Sequence, residues 1–135
     1  RLLSSFSEQG WRIAVAAQTN KQADDITRQL ALFKEFGGAQ VTRFISNSYV
    51  PSIDFPDSVR IVEKTSELPV GPQVIVSTSA KWALVSNFEA FDLLAVDEAW
   101  QMNWATLMRC ADLKNLSLCP VTWVHLQTLR FIKGM

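Results

Sequence analysis

The segment RIAVAAQTNKQADDITRQL, residues 12–30, holds a strand, a turn and a helix in succession, and it decides the fold class. Its first part, RIAVAA (12–17), is a short apolar run that predicts a buried strand. Apolar side chains then recur every three to four residues over 19–36, which predicts a helix. Those side chains belong to Ala23, Ile26, Leu30 and Phe33. Either Thr19 or Asn20 can cap this helix at its start.

Strand and helix patterns continue to alternate along the chain. Further strands are predicted at AQVTRFIS (39–46), VRIVE (59–63), VIVSTS (74–79) and FDLLAVDE (91–98). Helical patterns fall at 80–88 and 103–113, and a proline-containing loop falls at 47–58. Buried strands alternating with helices indicate an α/β domain, a three-layer sandwich whose mainly parallel sheet is covered on both faces. Residues 121–131 fit a strand or a helix equally well.

Composition excludes several classes of protein. The 135 residues are 48% hydrophobic and 19% charged, which fits one globular domain and not a disordered chain. The formal net charge is zero, so bulk charge indicates neither a nucleic-acid nor a membrane partner, although a local basic groove stays open. No apolar run approaches the roughly 20 residues that span a bilayer, and no signal peptide is visible, so we expect a cytoplasmic protein. Cys110, Cys119 and His125 lack the spacing of zinc ligands.

Two adjacent carboxylates end the last clear strand, in the stretch LLAVDEAWQM (93–102). Ligands of open parallel sheets bind at the carboxyl ends of the strands, where Asp97 and Glu98 fall. One acid can hold Mg²⁺ or its water shell, and the other can reach a water that attacks a phosphate. A simpler interpretation is equally open at this point: Asp97 caps the next helix, and Glu98 stabilises its first turn.

The string DEAWQ (97–101) resembles motif II of superfamily 1 helicases, Asp-Glu-Ala-x-Gln. Residues 12–30 are similar to motif Ia of the same family, and QVIVSTSAKWAL (73–84) looks like the family's next strand. The resemblance is strongest to the branch that includes the nonsense-mediated-decay helicase, and it covers roughly residues 1–113. It implies an incomplete RecA-like P-loop NTPase fold over 1–113, followed by a divergent or unrelated tail at 114–135.

The resemblance also implies roles for particular residues. Asp97 would coordinate Mg²⁺ through water, Glu98 would activate the attacking water, and Gln101 would sense the γ-phosphate of ATP. Two polar loops would contact the backbone of single-stranded DNA or RNA. Their residues are Gln18, Thr19 and Asn20 in the first loop, and Ser77, Thr78 and Ser79 in the second. Helix capping and turn formation explain the same residues without any ligand, just as core packing explains Trp82, Trp100 and Trp104 without base stacking.

The chain departs from the family in two respects. None of its five glycines begins the phosphate-binding pattern GxxxxGK[ST], and no Gly-Asp-x-x-Gln signature follows residue 113. We therefore expect the phosphate-binding loop to precede Arg1, a second motor domain to lie elsewhere in the parent protein, and the isolated chain to be inactive. Two other functions stay open. The first is a non-catalytic nucleic-acid-binding or scaffold module, and the second is a metal-dependent hydrolase that adds Asp92, Asp112 or His125 to the acidic pair.

Overall fold

The computed structural model describes residues 10–32, 41–85, 89 and 91–97. The strands are β1 (Ile13–Ala17), β2 (Val41–Phe44), β3 (Val59–Val62), β4 (Val74–Thr78) and β5 (Leu93–Val96). The helices are α1 (Asn20–Leu32), α2 (Ser79–Leu84) and a 3-10 turn at Thr65–Glu67. No helix within these ranges is long and apolar enough to cross a membrane.

The five described strands form one sheet in the order β3-β2-β4-β1-β5, and every pair of neighbours is parallel. Strand β1 lies between β4 and β5, with Ala16 level with Ser77 on one side and with Val96 on the other. The predicted α/β class and parallel sheet are thus confirmed. Since all five strands run in one direction, their carboxyl ends share one edge of the sheet, called here the carboxyl edge.

Side chains of the strands alternate between two apolar layers. Ile13, Val15 and Ala17 pack on the face that contacts Ala23 of α1. Ala14 and Ala16 pack on the opposite face, together with Trp82 of α2. Burial on both faces explains why these strands are uniformly apolar instead of alternating between apolar and polar residues.

Trp82 fixes α2 against the sheet. Its side chain is 1% exposed, and its indole N–H donates to the Val15 carbonyl oxygen at 2.9 Å. Its ring meets those of Phe44 and Phe91 edge-on, with centroids 5.5 and 5.3 Å away. Trp82 is therefore a packing residue, and its buried ring offers no face on which a base could stack.

Arg12 closes the opposite, amino end of the sheet. Its backbone N–H donates to a carboxylate oxygen of Asp92 at 2.8 Å, and its guanidinium donates to the carbonyl oxygens of Pro69 (2.6 Å) and Gly71 (3.1 Å). The guanidinium also lies over the Phe91 ring, 4.6 Å from its centroid. Asp92 is thereby held at the start of β5, one strand length away from Asp97.

Candidate functional site

Asp97 lies at the carboxyl edge, directly after β5. Its backbone N–H donates to the Ala16 carbonyl oxygen at 2.8 Å, which continues the pairing of β5 with β1 by one residue. The side chain is 7% exposed. Since Ala17 is level with Thr78 of β4, the ends of three neighbouring strands meet beside this carboxylate. Glu98 and Gln101 lie outside the described residues, and their roles stay predictions.

Gln18 begins the turn that follows β1 and is half-buried. Its side-chain amide nitrogen is enclosed and has no hydrogen-bond partner within the described ranges. A buried donor of this kind costs free energy unless something satisfies it. Its position one residue beyond Ala17 puts that donor at the same edge as Asp97.

Thr19 is the N-cap of α1. Its hydroxyl accepts from the Gln22 backbone N–H at 3.2 Å, and the Gln22 side-chain oxygen accepts from the Thr19 N–H at 3.1 Å. This reciprocal pair is a capping box, which satisfies two backbone donors at the start of the helix. The capping interpretation therefore accounts for Thr19 fully, although the residue remains exposed at the carboxyl edge.

Asn20 forms a hydrogen bond with a buried charged side chain, that of Arg43. Its side-chain oxygen accepts from the Arg43 guanidinium at 3.0 Å. Arg43 in turn donates to the Asp24 carboxylate at 2.8 Å, and both of these charged side chains are almost completely buried, at 0% and 1% exposure. A second guanidinium nitrogen donates to the Phe44 carbonyl oxygen at 2.8 Å.

Tyr49 completes this buried cluster. Its hydroxyl donates to the second carboxylate oxygen of Asp24 at 2.5 Å, and the Arg43 guanidinium lies 5.7 Å from its ring centroid. Burial raises the pKa of the Tyr49 hydroxyl above its usual value, and the hydrogen bond to Asp24 and that residue's negative charge raise the pKa further. We call Asn20, Asp24, Arg43 and Tyr49 the ionic cluster.

Sequence reasoning missed the ionic cluster. A usable signal exists, because Asp24 is next to Ala23 on the buried stripe of α1, and Arg43 interrupts the apolar strand VTRF. A charge at a core position of a helix and an opposite charge at a core position of a strand predict a buried pair.

The polar residues at the end of β4 form hydrogen bonds within the fold and cap the following helix. Ser77 is 0% exposed, and its hydroxyl donates to the Phe44 carbonyl oxygen at 2.8 Å. Thr78 caps α2 by accepting from the Lys81 backbone N–H at 3.2 Å, and Ser79 is 4% exposed. Ser77 and Ser79 are buried and Thr78 is half-buried, so Thr78 is the most accessible of the three, and a contact of this loop with nucleic acid stays a prediction.

The described residues contain no cluster of three or more histidine, cysteine or acidic side chains that could hold a metal ion. A Mg²⁺ ion needs fewer protein ligands than such a cluster provides, because it usually keeps several waters and takes one or two carboxylates together with phosphate oxygens. Asp97 can supply one such carboxylate at the carboxyl edge. Asp24 cannot, since Arg43 and Tyr49 occupy its two oxygens.

No protein-family model and no curated protein matches this chain. The likeness to helicase motifs therefore rests on the residues of three segments, 12–30, 73–84 and 97–101. The described parts of those segments are neighbours in space: β4, β1 and β5 follow one another in the sheet, and Asp97 comes directly after β5.

Proposed function

We propose that this chain forms part of the first motor domain of an ATP-dependent helicase or translocase with a RecA-like P-loop NTPase fold. One observation carries the proposal. Two of the motif-like segments contain the adjacent parallel strands β4 and β1, and Asp97, which begins the third, follows β5 and bonds through its N–H to Ala16, so Asp97 and the polar turns share one edge of the sheet. Parallel α/β sheets bind their ligands at that edge.

Asp97 would hold Mg²⁺ through water, and its carboxylate oxygens suit that hard cation. Glu98, the next residue, would orient and deprotonate the water that attacks the terminal phosphate of ATP, and Gln101 would respond to that phosphate. Bound Mg²⁺ supplies charge neutralisation for the phosphate oxygens. The GxxxxGK[ST] pattern is not encoded in these 135 residues, so the phosphate cradle would have to come from other residues.

A single strand of DNA or RNA would cross the carboxyl edge at the turn after β1 and at the start of α2. Thr19, Asn20 and Thr78 offer hydroxyl and amide groups there, and Lys21 is exposed beside them. Such groups bind phosphate and sugar without selecting a base, which suits a protein that moves along any sequence. A second motor domain of the parent protein would close the nucleotide site from the other side.

The test is ATP turnover by the full natural polypeptide that carries this sequence, with and without a single-stranded oligonucleotide. Glu98→Gln should lower turnover by about 10²- to 10⁴-fold while nucleotide binding is kept, because only the water-activating carboxylate is lost. Asp97→Asn should weaken the Mg²⁺-dependent part of nucleotide binding. Asp57→Asn, which neutralises an exposed carboxylate in the loop before β3, is the matched control. Full turnover in the Glu98→Gln protein would refute the assignment.

A second function is favoured by one observation, the lack of a GxxxxGK[ST] pattern in the chain. In this alternative the α/β frame binds nucleic acid or acts as a scaffold without chemistry. Binding to single strands would then depend on salt but not on nucleotide. Nucleotide-dependent affinity for the strand in the full natural polypeptide would decide for the motor.

A further inference from the structure

Asn20 is held in one orientation by Arg43. A guanidinium has only donors, so the amide group of Asn20 must turn its oxygen toward Arg43, as the 3.0 Å bond shows. The amide nitrogen and its two N–H donors then lie on the far side of the group, away from Arg43. Asn20 is half-buried at the start of α1, so part of this residue can meet a partner at the carboxyl edge.

Arg43 is itself held from several sides. Asp24 accepts from one nitrogen, the Phe44 carbonyl oxygen from a second, and Asn20 from the third. Tyr49 fixes the other oxygen of Asp24 and belongs to a tight turn in which its N–H donates to the Ser46 carbonyl oxygen at 3.0 Å. All three nitrogens of the guanidinium are therefore occupied, and the side chain has no second arrangement that keeps these bonds.

Stability alone is a weak reason for such a cluster. A buried ion pair often stabilises a fold no better than apolar residues of similar volume would. A planar guanidinium does provide direction, because its fork imposes a fixed geometry on every acceptor it binds. A lysine at this position would keep the charge beside Asp24 but not the fork.

We propose that Arg43 is a positioning residue that presents the Asn20 amide, donors outward, to a phosphate of a bound single strand. The inference rests on the proposed function and deepens it, since it concerns the same nucleic-acid surface. An outward N–H donor suits an anion and repels a cation. The exposed Lys21 next in the chain adds positive charge at the same place.

The direct test exchanges donors for acceptors at Asn20. Asn20→Asp keeps the shape and keeps an oxygen for Arg43, so the fold should survive, but it removes both N–H donors and adds a negative charge. Fluorescence anisotropy with labelled oligothymidine and oligouridine should show about a ten- to hundredfold loss of affinity, the amount expected for one hydrogen bond to a charged group. Asn47→Asp is the matched control, because Asn47 is exposed after β2 and does not belong to the ionic cluster. It adds the same charge, and it should cost about threefold or less.

A double-mutant cycle tests whether Arg43 acts through Asn20. Arg43→Lys should weaken strand binding, and the Arg43→Lys, Asn20→Asp protein should lose less affinity than the product of the two single losses. A purely structural role would give multiplicative losses. Near-ultraviolet circular dichroism of each variant establishes that the tryptophan packing is intact. If Arg43→Lys unfolds the chain, the Asn20→Asp and Asn47→Asp pair can still overturn the proposal, because Arg43 has nothing to position if the loss at Asn20 is no larger than the loss at Asn47.

The outcomes separate this inference from the proposed function. Wild-type binding that survives Asn20→Asp, or equal losses in Asn20→Asp and Asn47→Asp, overturns the positioning role and leaves the nucleic-acid surface standing. A wild-type chain that binds neither oligonucleotide overturns both.

Discussion

Tyr49 is the only tyrosine in the chain, so a titration of tyrosinate absorbance reports on this residue alone. Burial raises the pKa of its hydroxyl, and Asp24 raises that pKa further. We expect a midpoint above the usual value of about 10 in the folded chain and a midpoint near 10 in urea. A folded midpoint at or below the urea midpoint would contradict the bond to Asp24.

The same shift has a consequence for stability. A group whose pKa is higher in the folded than in the unfolded state contributes stability that is fully present below the unfolded pKa. That contribution is lost as the pH rises from about 10 through the folded pKa. Urea unfolding at a series of alkaline pH values should therefore show a falling free energy of unfolding, and Tyr49→Phe should remove this part of the pH dependence.

The ionic cluster also shows where prediction from sequence stops at the residue scale. Asp24 and Arg43 are 19 positions apart, so the sequence can mark each of them as a charge at a core position but cannot pair them. Only the packing of α1 against β2 puts them in contact. Thr19 was within reach of prediction, because a Thr-x-x-Gln spacing before an apolar stripe is a local signal for a capping box.

Among the secondary-structure elements, α2 is held against the sheet chiefly by one side chain, that of Trp82. Trp82 is buried between Phe44 and Phe91 and bonds to Val15. Trp82→Ala should lower the free energy of unfolding by about 3–5 kcal/mol, since it leaves a cavity and removes the hydrogen bond to the Val15 carbonyl oxygen. Thermal or urea unfolding measures this loss.

Two further variants make the Trp82 result specific. Trp82→Phe keeps an aromatic ring but removes the N–H, so it should cost less than the alanine variant. Leu84→Ala, in the same helix, changes a side chain that is 79% exposed and should alter the free energy of unfolding by less than about 0.5 kcal/mol. A Leu84→Ala effect equal to that of Trp82→Ala would show that α2 is not anchored through its tryptophan.

The strands themselves were predictable, and the reason is physical. A parallel sheet buried on both faces needs apolar strands, and the predicted strands 12–17, 74–79 and 91–98 each contain a continuous apolar run that needs no information from distant residues. Their ends were less certain. The strand pattern at 74–79 ends in the structure at Thr78, because Ser79 already belongs to α2, which Thr78 caps.

At the scale of the whole molecule, the two ends of the sheet differ in character. The carboxyl edge carries Asp97, Thr19 and Asn20 at the ends of separate elements. The amino end is closed by Arg12, whose buried guanidinium donates to the turn at 69–71 and whose backbone N–H donates to Asp92 at the start of β5. The position of Asp97 at the carboxyl edge was predictable, because this residue directly follows an apolar run typical of a parallel strand. Prediction missed Arg12, because an arginine before an apolar run has no local sign of burial.

Because the two ends of the sheet differ, we expect mutations at the amino end to lower stability and mutations at the carboxyl edge to lower affinity for a single strand. Arg12→Gln removes charged donors from the carbonyl oxygens of Pro69 and Gly71, so it should lower the free energy of unfolding by about 1–3 kcal/mol. Affinity for a single strand, measured on the folded protein at low temperature, should stay within about twofold of wild type, since the loss is local and far from the carboxyl edge. Asn20→Asp should have the opposite pattern of effects: the free energy of unfolding should change little, and the affinity for the single strand should fall about ten- to hundredfold. If Arg12→Gln weakened strand binding as strongly as Asn20→Asp, the two ends would be coupled, and the carboxyl edge could not be treated as a separate binding surface.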